Sequence, residues 1–415
     1  MTLPLKILPL LEQWDCQGCG NCCRGSVIPL RDEDLAKLRS QKWEEQPEFR
    51  GVPTVVRQAM LSGQYQLAQQ RDGSCVFLTS AGRCRIHELH GSQAKPLVCR
   101  MYPLQVVPLE STAQLTLRRS CPSAARDQGS PVAAHLEEGR ELAREGGLLE
   151  SAAGPPYLKA GERRDWRDTL RALQSLQRLT TSDRYPMVRR LVHGLQFCKL
   201  LEQARCAEHS SEQFAQLLQV LEEAVPDEAA PFFAKRAPPG SSVGVLFRQV
   251  AADYVRLHPR YRSANSWSER WRLFRAALAM VRGQGNLPQL HPEFPTVAFE
   301  ALEAPLGTLD PAVYLPLNRF LETMATSYQY AIARRGTWSL IESYRSLALT
   351  YPIALWLLRW SSAGRQPTAQ EAVEIVTALD RGQGYAPLSG RKQRSRLSIL
   401  TRLEAIEPLI AWYGR

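Results

Sequence analysis

Four thiols fall within eight residues near the start of this chain, and that run constrains everything around it. It reads Cys16-Gln-Gly-Cys19-Gly20-Asn21-Cys22-Cys23-Arg24-Gly25. A gap of two residues between cysteines lets one tight turn aim both sulfurs at a single ion. The glycines allow backbone conformations that other residues resist, so the loop can close around that ion. The double step Cys16-x2-Cys19-x2-Cys22 is also the opening of a bacterial ferredoxin run. Cys23 fits less simply, because adjacent side chains diverge; it serves a second ion, bridges, or stays free.

Four more thiols follow at Cys75, Cys84, Cys99 and Cys121, so eight of the ten cysteines precede residue 122. The N-terminal stretch Met1–Leu11 is apolar but short and holds two prolines, with no leading basic run and no cleavage-site pattern. The most apolar later run, Leu347–Trp360, is too short to span a bilayer and reads as a buried helix. These features predict a cytoplasmic protein with no membrane partner, in which dense thiols signal metal in preference to disulfides. With 415 residues, 44% hydrophobic and 22% charged, the chain can bury sizeable cores in two or three domains. The net charge of +11 reads as an ordinary basic surface. Nucleic-acid binding has only charge behind it, since Arg391-Lys-Gln-Arg394-Ser-Arg396 sits in a stretch, Arg381 to Arg396, that reads as a basic loop with Tyr385 as its one aromatic.

The pattern predicts a mainly α fold: a small, irregular, metal-stapled cysteine-rich domain over 12–125, a connector over 126–164, and an α-helical domain over 165–415. In the first part, Val27–Leu30, Gln64–Gln70 and Leu104–Arg118 read as extended and Asp32–Leu38 as helical, and one helix is expected in the connector within His135–Arg144. So little regular structure needs another source of stability, which metal binding supplies. From Trp166 onward apolar residues recur at three or four positions: Trp166, Leu170, Leu173; Met187, Leu191, Leu195, Cys198; Phe214, Leu217, Leu221; Trp267, Trp271, Phe274, Leu278, Val281. All of these stripes read as core. Breaks are expected at Pro226–Pro239 and Leu287–Leu317. Further helices are expected within Asn318–Trp360, Thr368–Leu379 and Leu397–Tyr413.

The later cysteines have informative neighbours: Cys75-Val-Phe-Leu, Cys84-Arg-Ile-His87, Lys95-Pro-Leu-Val-Cys99-Arg-Met-Tyr102-Pro103 and Cys121-Pro122. With the first run, they make residues 14–125 resemble the YkgJ-type cysteine-cluster family, a zinc- or iron-chelating domain that includes the flagellin lysine N-methylases. The resemblance implies that Cys16, Cys19, Cys22, Cys23, Cys75, Cys84, Cys99 and Cys121 are the metal ligands. His87 stands where many shorter relatives carry tyrosine.

Thiolates suit zinc and iron–sulfur clusters alike, and eight of them serve two four-coordinate ions or one [4Fe-4S] cluster with the remainder structural. Arg24, Arg85 and Arg100 adjoin ligand candidates and either lower thiol pKa values or lie solvated at the surface. His87 and His90 read as surface residues in preference to ligands. The resemblance implies methyl transfer from S-adenosylmethionine to lysines of a protein substrate, flagellin-like or other. The sequence carries no Rossmann donor loop, no radical S-adenosylmethionine cysteine spacing and no identifiable catalytic residue. The alternative is a non-catalytic metal-binding module whose helical half docks a partner.

Overall fold

Short extended pieces and single-turn helices come first. In the computed structural model, which describes residues 2–58, 63–150, 154–256, 266–291, 293–384 and 390–415, the chain begins with β1 (Leu5–Ile7), β2 (Gln13–Trp14), β3 (Pro29–Leu30), α1 (Asp32–Ser40), β4 (Val55–Arg57) and β5 (Tyr65–Leu67). It continues through α2 (Arg85–His90), α3 (Leu97–Met101), β6 (Leu104–Pro108), β7 (Ala113–Leu117), α4 (Pro122–Ala125), β8 (Ser130–Pro131) and α5 (Leu136–Glu145). One sheet runs β1-β7-β6, with β1 parallel to β7 (Leu5 opposite Ala113) and β6 antiparallel to it (Leu104 opposite Leu117). A second runs β3-β5-β4, all antiparallel, and β2 pairs with β8.

Two small cores result. Leu5, Leu97, Leu104, Leu115 and Cys121 share one, to which α5 adds Leu142 and Ala143. Trp43, Phe49, Phe77, Ile86 and Cys75 share the other. Cysteines therefore sit at the edge of both.

The remaining helices are α6 (Trp166–Thr181), α7 (Met187–Gln203), α8 (Ser211–Ala234), α9 (Ser241–Arg256), α10 (Trp267–Arg282), α11 (Phe299–Glu303), α12 (Pro311–Ser327), α13 (Gln329–Ile332), α14 (Leu340–Ser362), α15 (Ala369–Gly384), α16 (Arg391–Arg402) and α17 (Ile406–Tyr413). A short antiparallel pair, β9 (Asn286–Leu287) and β10 (Val297–Ala298), precedes α11. Ser210 and Ser339 start α8 and α14 with reciprocal capping boxes. Helix α14 is buried from Leu340 to Ser362 except at Glu342 and forms the axis of the bundle. Gly194 on α7 leaves room for the Tyr344 ring, whose hydroxyl shares a 2.8 Å hydrogen bond with Thr180. Cys198 is fully buried, as its stripe position predicts.

Four expectations need correction. Helix α8 runs through Pro226 and Pro231 where a break was expected; packing of Leu221, Val225 and Ala229 into the bundle outweighs the lost backbone bonds. The Leu287–Leu317 stretch holds α11 and the start of α12 as well as irregular chain. The basic segment is not a loop throughout: Arg381 is buried on α15, and Arg391 to Arg396 belong to α16. Tyr385 lies outside the described residues. The α10 stripe, read as core, is exposed, and small residues on the opposite face are buried instead. No described helix is long and apolar enough to cross a membrane.

Glu12, only 3% exposed, accepts hydrogen bonds from the Thr116 hydroxyl at 2.9 and 3.1 Å and lies 3.6 Å from Arg119. Burial dominates over Arg119 and pushes its pKa up to about 7. A raised carboxyl pKa contributes stability that is complete below the ordinary carboxylate pKa and is lost as pH rises through the folded value. Stability should therefore fall between about pH 4.5 and 7, by on the order of 3 kcal/mol from this group. Urea midpoints across that range should show this component in the parent protein and not in Glu12→Gln.

Candidate metal centre

Backbone pairing assembles the thiols before any side chain is considered. A left-handed Gly20 starts the single turn Asn21–Cys23. A Cβ at Gly20 would lie 2.5 Å from the Gly82 carbonyl oxygen and 2.9 Å from Leu78, so glycine is required for the first run to seat against the 78–84 turn. The Cys75 N–H donates to the Cys23 carbonyl at 2.7 Å, and Arg24 bridges Ser74. Leu78 in turn bridges Cys84, and the Arg85 N–H donates to the Phe77 carbonyl at 2.8 Å. These small ladders carry Cys22 and Cys23 to Cys75, and Cys75 to Cys84.

Cys84 and Cys121 occupy the N-terminal boundaries of α2 and α4, while Cys99 lies within α3. The Cys22 and Cys23 sulfurs are 3.9 Å apart. That contact, and then burial of the sulfur, hold the Cys22 thiol well above its ordinary pKa. Burial, reinforced by Cys75, Cys22 and Cys84, does the same to Cys99. Cys75 is pushed up to about 11 by burial, partly offset by the Phe77 N–H, with Cys84 and Cys22 adding to the rise. Cys121 is pushed to about 11 in the same way, with the Ala124 and Ser123 N–H groups opposing and Cys19 and Cys22 contributing.

Cys22 is thus the hub, within electrostatic reach of Cys23, Cys75, Cys99 and Cys121. As residues, Cys16, Cys19 and Cys22 are all exposed on the loop. None of the ten cysteines forms a disulfide. The set is drawn together without being closed: among the described residues, no three His, Cys, Asp or Glu side chains stand in position to hold one ion.

The donor chemistry nevertheless fits a metal. Buried thiols that repel each other's ionisation are stable as neutral groups, and a divalent cation or an iron–sulfur core is what converts such a set to thiolates. Backbone N–H groups at Cys75 and Cys121 already face the sulfurs that would carry charge.

Of the two readings of the neighbouring arginines, the surface one fits Arg24 and Arg85, and all three arginines pair with carboxylates. Arg24 lies 3.8 Å from Asp72, Arg85 lies 2.6 Å from Glu48, and Arg100 pairs with Glu145. The cation that favours ionisation of Cys22 and Cys99 is Lys95, whose place in Lys95-Pro96-x2-Cys99 was the available signal. His87 and His90 are exposed, and His90 packs edge-on against Trp43.

Sequence reasoning also missed the clamp from the helical half. Arg381 donates to the Asn21 carbonyl at 3.0 Å and the Arg24 carbonyl at 2.9 Å, bracketing Cys22 and Cys23. Its neighbour Asp380 accepts the Ser120 N–H at 2.8 Å and pairs with Arg118 at 3.1 Å, beside Cys121. Tyr102 completes this side, its hydroxyl 3.3 Å from the Ser120 hydroxyl. Burial, then the neighbouring Cys121, hold that phenol well above its usual range.

A thiol-rich loop set stitched by backbone pairing and offering soft ligands defines a metal-binding cysteine-cluster domain. Residues 15–122 match the CxxCxxCC family model, described as "Putative zinc- or iron-chelating domain". No curated protein and no solved structure matches the chain.

Proposed function

We propose that Cys16, Cys19, Cys22, Cys23, Cys75, Cys84, Cys99 and Cys121 hold an iron–sulfur centre that staples the cysteine-rich domain and couples it to the helical half. The observation that carries this is the convergence on Cys22 of thiols from three other segments, Cys75, Cys99 and Cys121, with Cys23 beside it. An iron–sulfur core would supply electron transfer or an electrophilic iron. The chain's own residues fix the thiols by backbone pairing, provide N–H donors to sulfur, and lock the loop through Arg381. Zinc is the alternative occupant, with the same stapling role.

Methyl transfer from S-adenosylmethionine to a protein lysine has support only from the sequence resemblance to the lysine N-methylases. A purely structural centre, with the helical half docking a partner protein, explains the Asp380–Arg381 clamp equally well.

Metal and acid-labile sulfide analysis of anaerobically purified protein tests the proposal. Brown protein with iron and sulfide in comparable amounts is expected. Colourless protein with stoichiometric zinc would replace the iron reading. Protein that takes up neither metal after reconstitution would end both.

A further inference from the structure

Helix α10 turns its large apolar residues the wrong way for a core helix. Ser266 caps its start and the left-handed Gly283 ends it. The face against α9 and β9 is made of Ala276, Ala279 and Met280. The opposite face carries Trp267, Trp271, Phe274, Leu278 and Val281, with Trp267 86% and Trp271 62% exposed. The Trp271 and Phe274 rings stack on each other at 5.3 Å, in the open. Isolated apolar residues on a surface need no explanation, but a continuous ridge with two tryptophans and a phenylalanine does.

The borders of the ridge say what covers it. At about 100° per residue, Arg270 falls along one edge and Arg275 and Arg282 along the other. All three are exposed, and none has an acidic partner among the described residues. The helix's one carboxylate, Glu269, is turned to the capping box, accepting the Ser266 N–H at 2.9 Å. A convex apolar ridge edged on both sides by guanidinium groups with no acidic partner among the described residues matches a planar anionic surface better than a protein groove. The arginine stems lie along the apolar face while their heads reach outward to phosphate.

We propose that α10 is a membrane-surface contact, its ridge entering the headgroup region of an anionic bilayer with Arg270, Arg275 and Arg282 at the level of the lipid phosphates. The excess of basic residues over the whole chain, net +11, draws the molecule to the same surface. The contact is independent of the metal centre and requires no helix to span the membrane.

Flotation of the full-length protein with vesicles tests this. Vesicles of phosphatidylcholine mixed with phosphatidylglycerol should carry the protein upward, pure phosphatidylcholine vesicles should not, and added salt should weaken the binding. The triple variant Trp267→Ser/Trp271→Ser/Phe274→Ser, and separately Arg270→Gln/Arg275→Gln/Arg282→Gln, should each lower partitioning at least about tenfold. Both should keep the parent's melting curve and metal content. Failure of the unaltered protein to float, equal binding to neutral vesicles, or undiminished binding by both variants overturns the proposal. Self-association in solution that the aromatic variant abolishes, without flotation, would assign the ridge to a second copy of the chain instead.

Discussion

Cys22→Ala is expected to empty the metal centre and unfold the cysteine-rich region, at a cost on the order of 5 kcal/mol or more if the metal is structural. Three facts make this position the most sensitive of the eight. Its sulfur lies 3.9 Å from that of Cys23 and acts electrostatically on Cys75, Cys99 and Cys121. The two small cores on either side, one around Trp43 and Phe77 and the other around Leu104 and Leu115, are each too slight to hold unaided the loops between them. The loss of a ligand also turns metal-binding free energy, which here is folding free energy, against the native state. Elemental analysis and denaturant unfolding should change together. Cys198→Ala, in the helical core, should leave the metal content at its parent level. Retention of metal and of the unfolding midpoint in Cys22→Ala would remove this residue from the ligand set.

The second large effect is expected at the clamp. Asp380 is 1% exposed and Arg118 is almost as deeply buried, so Asp380→Ala removes the carboxylate from a buried cation and from the Ser120 N–H. Breaking a buried pair from one side costs about 3–5 kcal/mol. The loss falls on the contact between the helical half and the cysteine loops. Unfolding followed by far-ultraviolet circular dichroism and by tryptophan fluorescence should then separate into two transitions, where the parent shows one. A single, unshifted transition in both signals would show that the clamp contributes little. Arg381→Met, which leaves the Asp380 pair intact, should loosen the loop around Cys22 and speed metal loss to a chelator without splitting the transition.

Much of the fold was legible in the sequence because it follows from local periodicity. Trp166–Thr181, Met187–Gln203 and Leu340–Ser362 are helices where apolar residues recur with the helical period. The serine before α8 caps it, as its position suggests. The extended pieces at Pro29–Leu30, Tyr65–Leu67 and Leu104–Leu117 also appear.

Periodicity says which residues share a face, and nothing about which way that face turns. This is why the α10 ridge, indistinguishable in pattern from the α6 stripe, lies outside the core. Asp380 and Arg381 show the same limit. Asp380 continues the buried positions Val373 and Val376 of α15, and a charge in an apolar stripe was a usable signal. Its partners, however, lie about 260 residues away in sequence.

The sequence by itself determined the class of chemistry, metal binding, because side-chain identity and short spacing suffice to specify soft ligands. The tertiary structure alone decided which thiol is central, that Lys95 and not the adjoining arginines is the cation acting on it, and that the helical half grips the cysteine loop through Arg381. Those are matters of distance between segments far apart in the chain, and distance is set by packing.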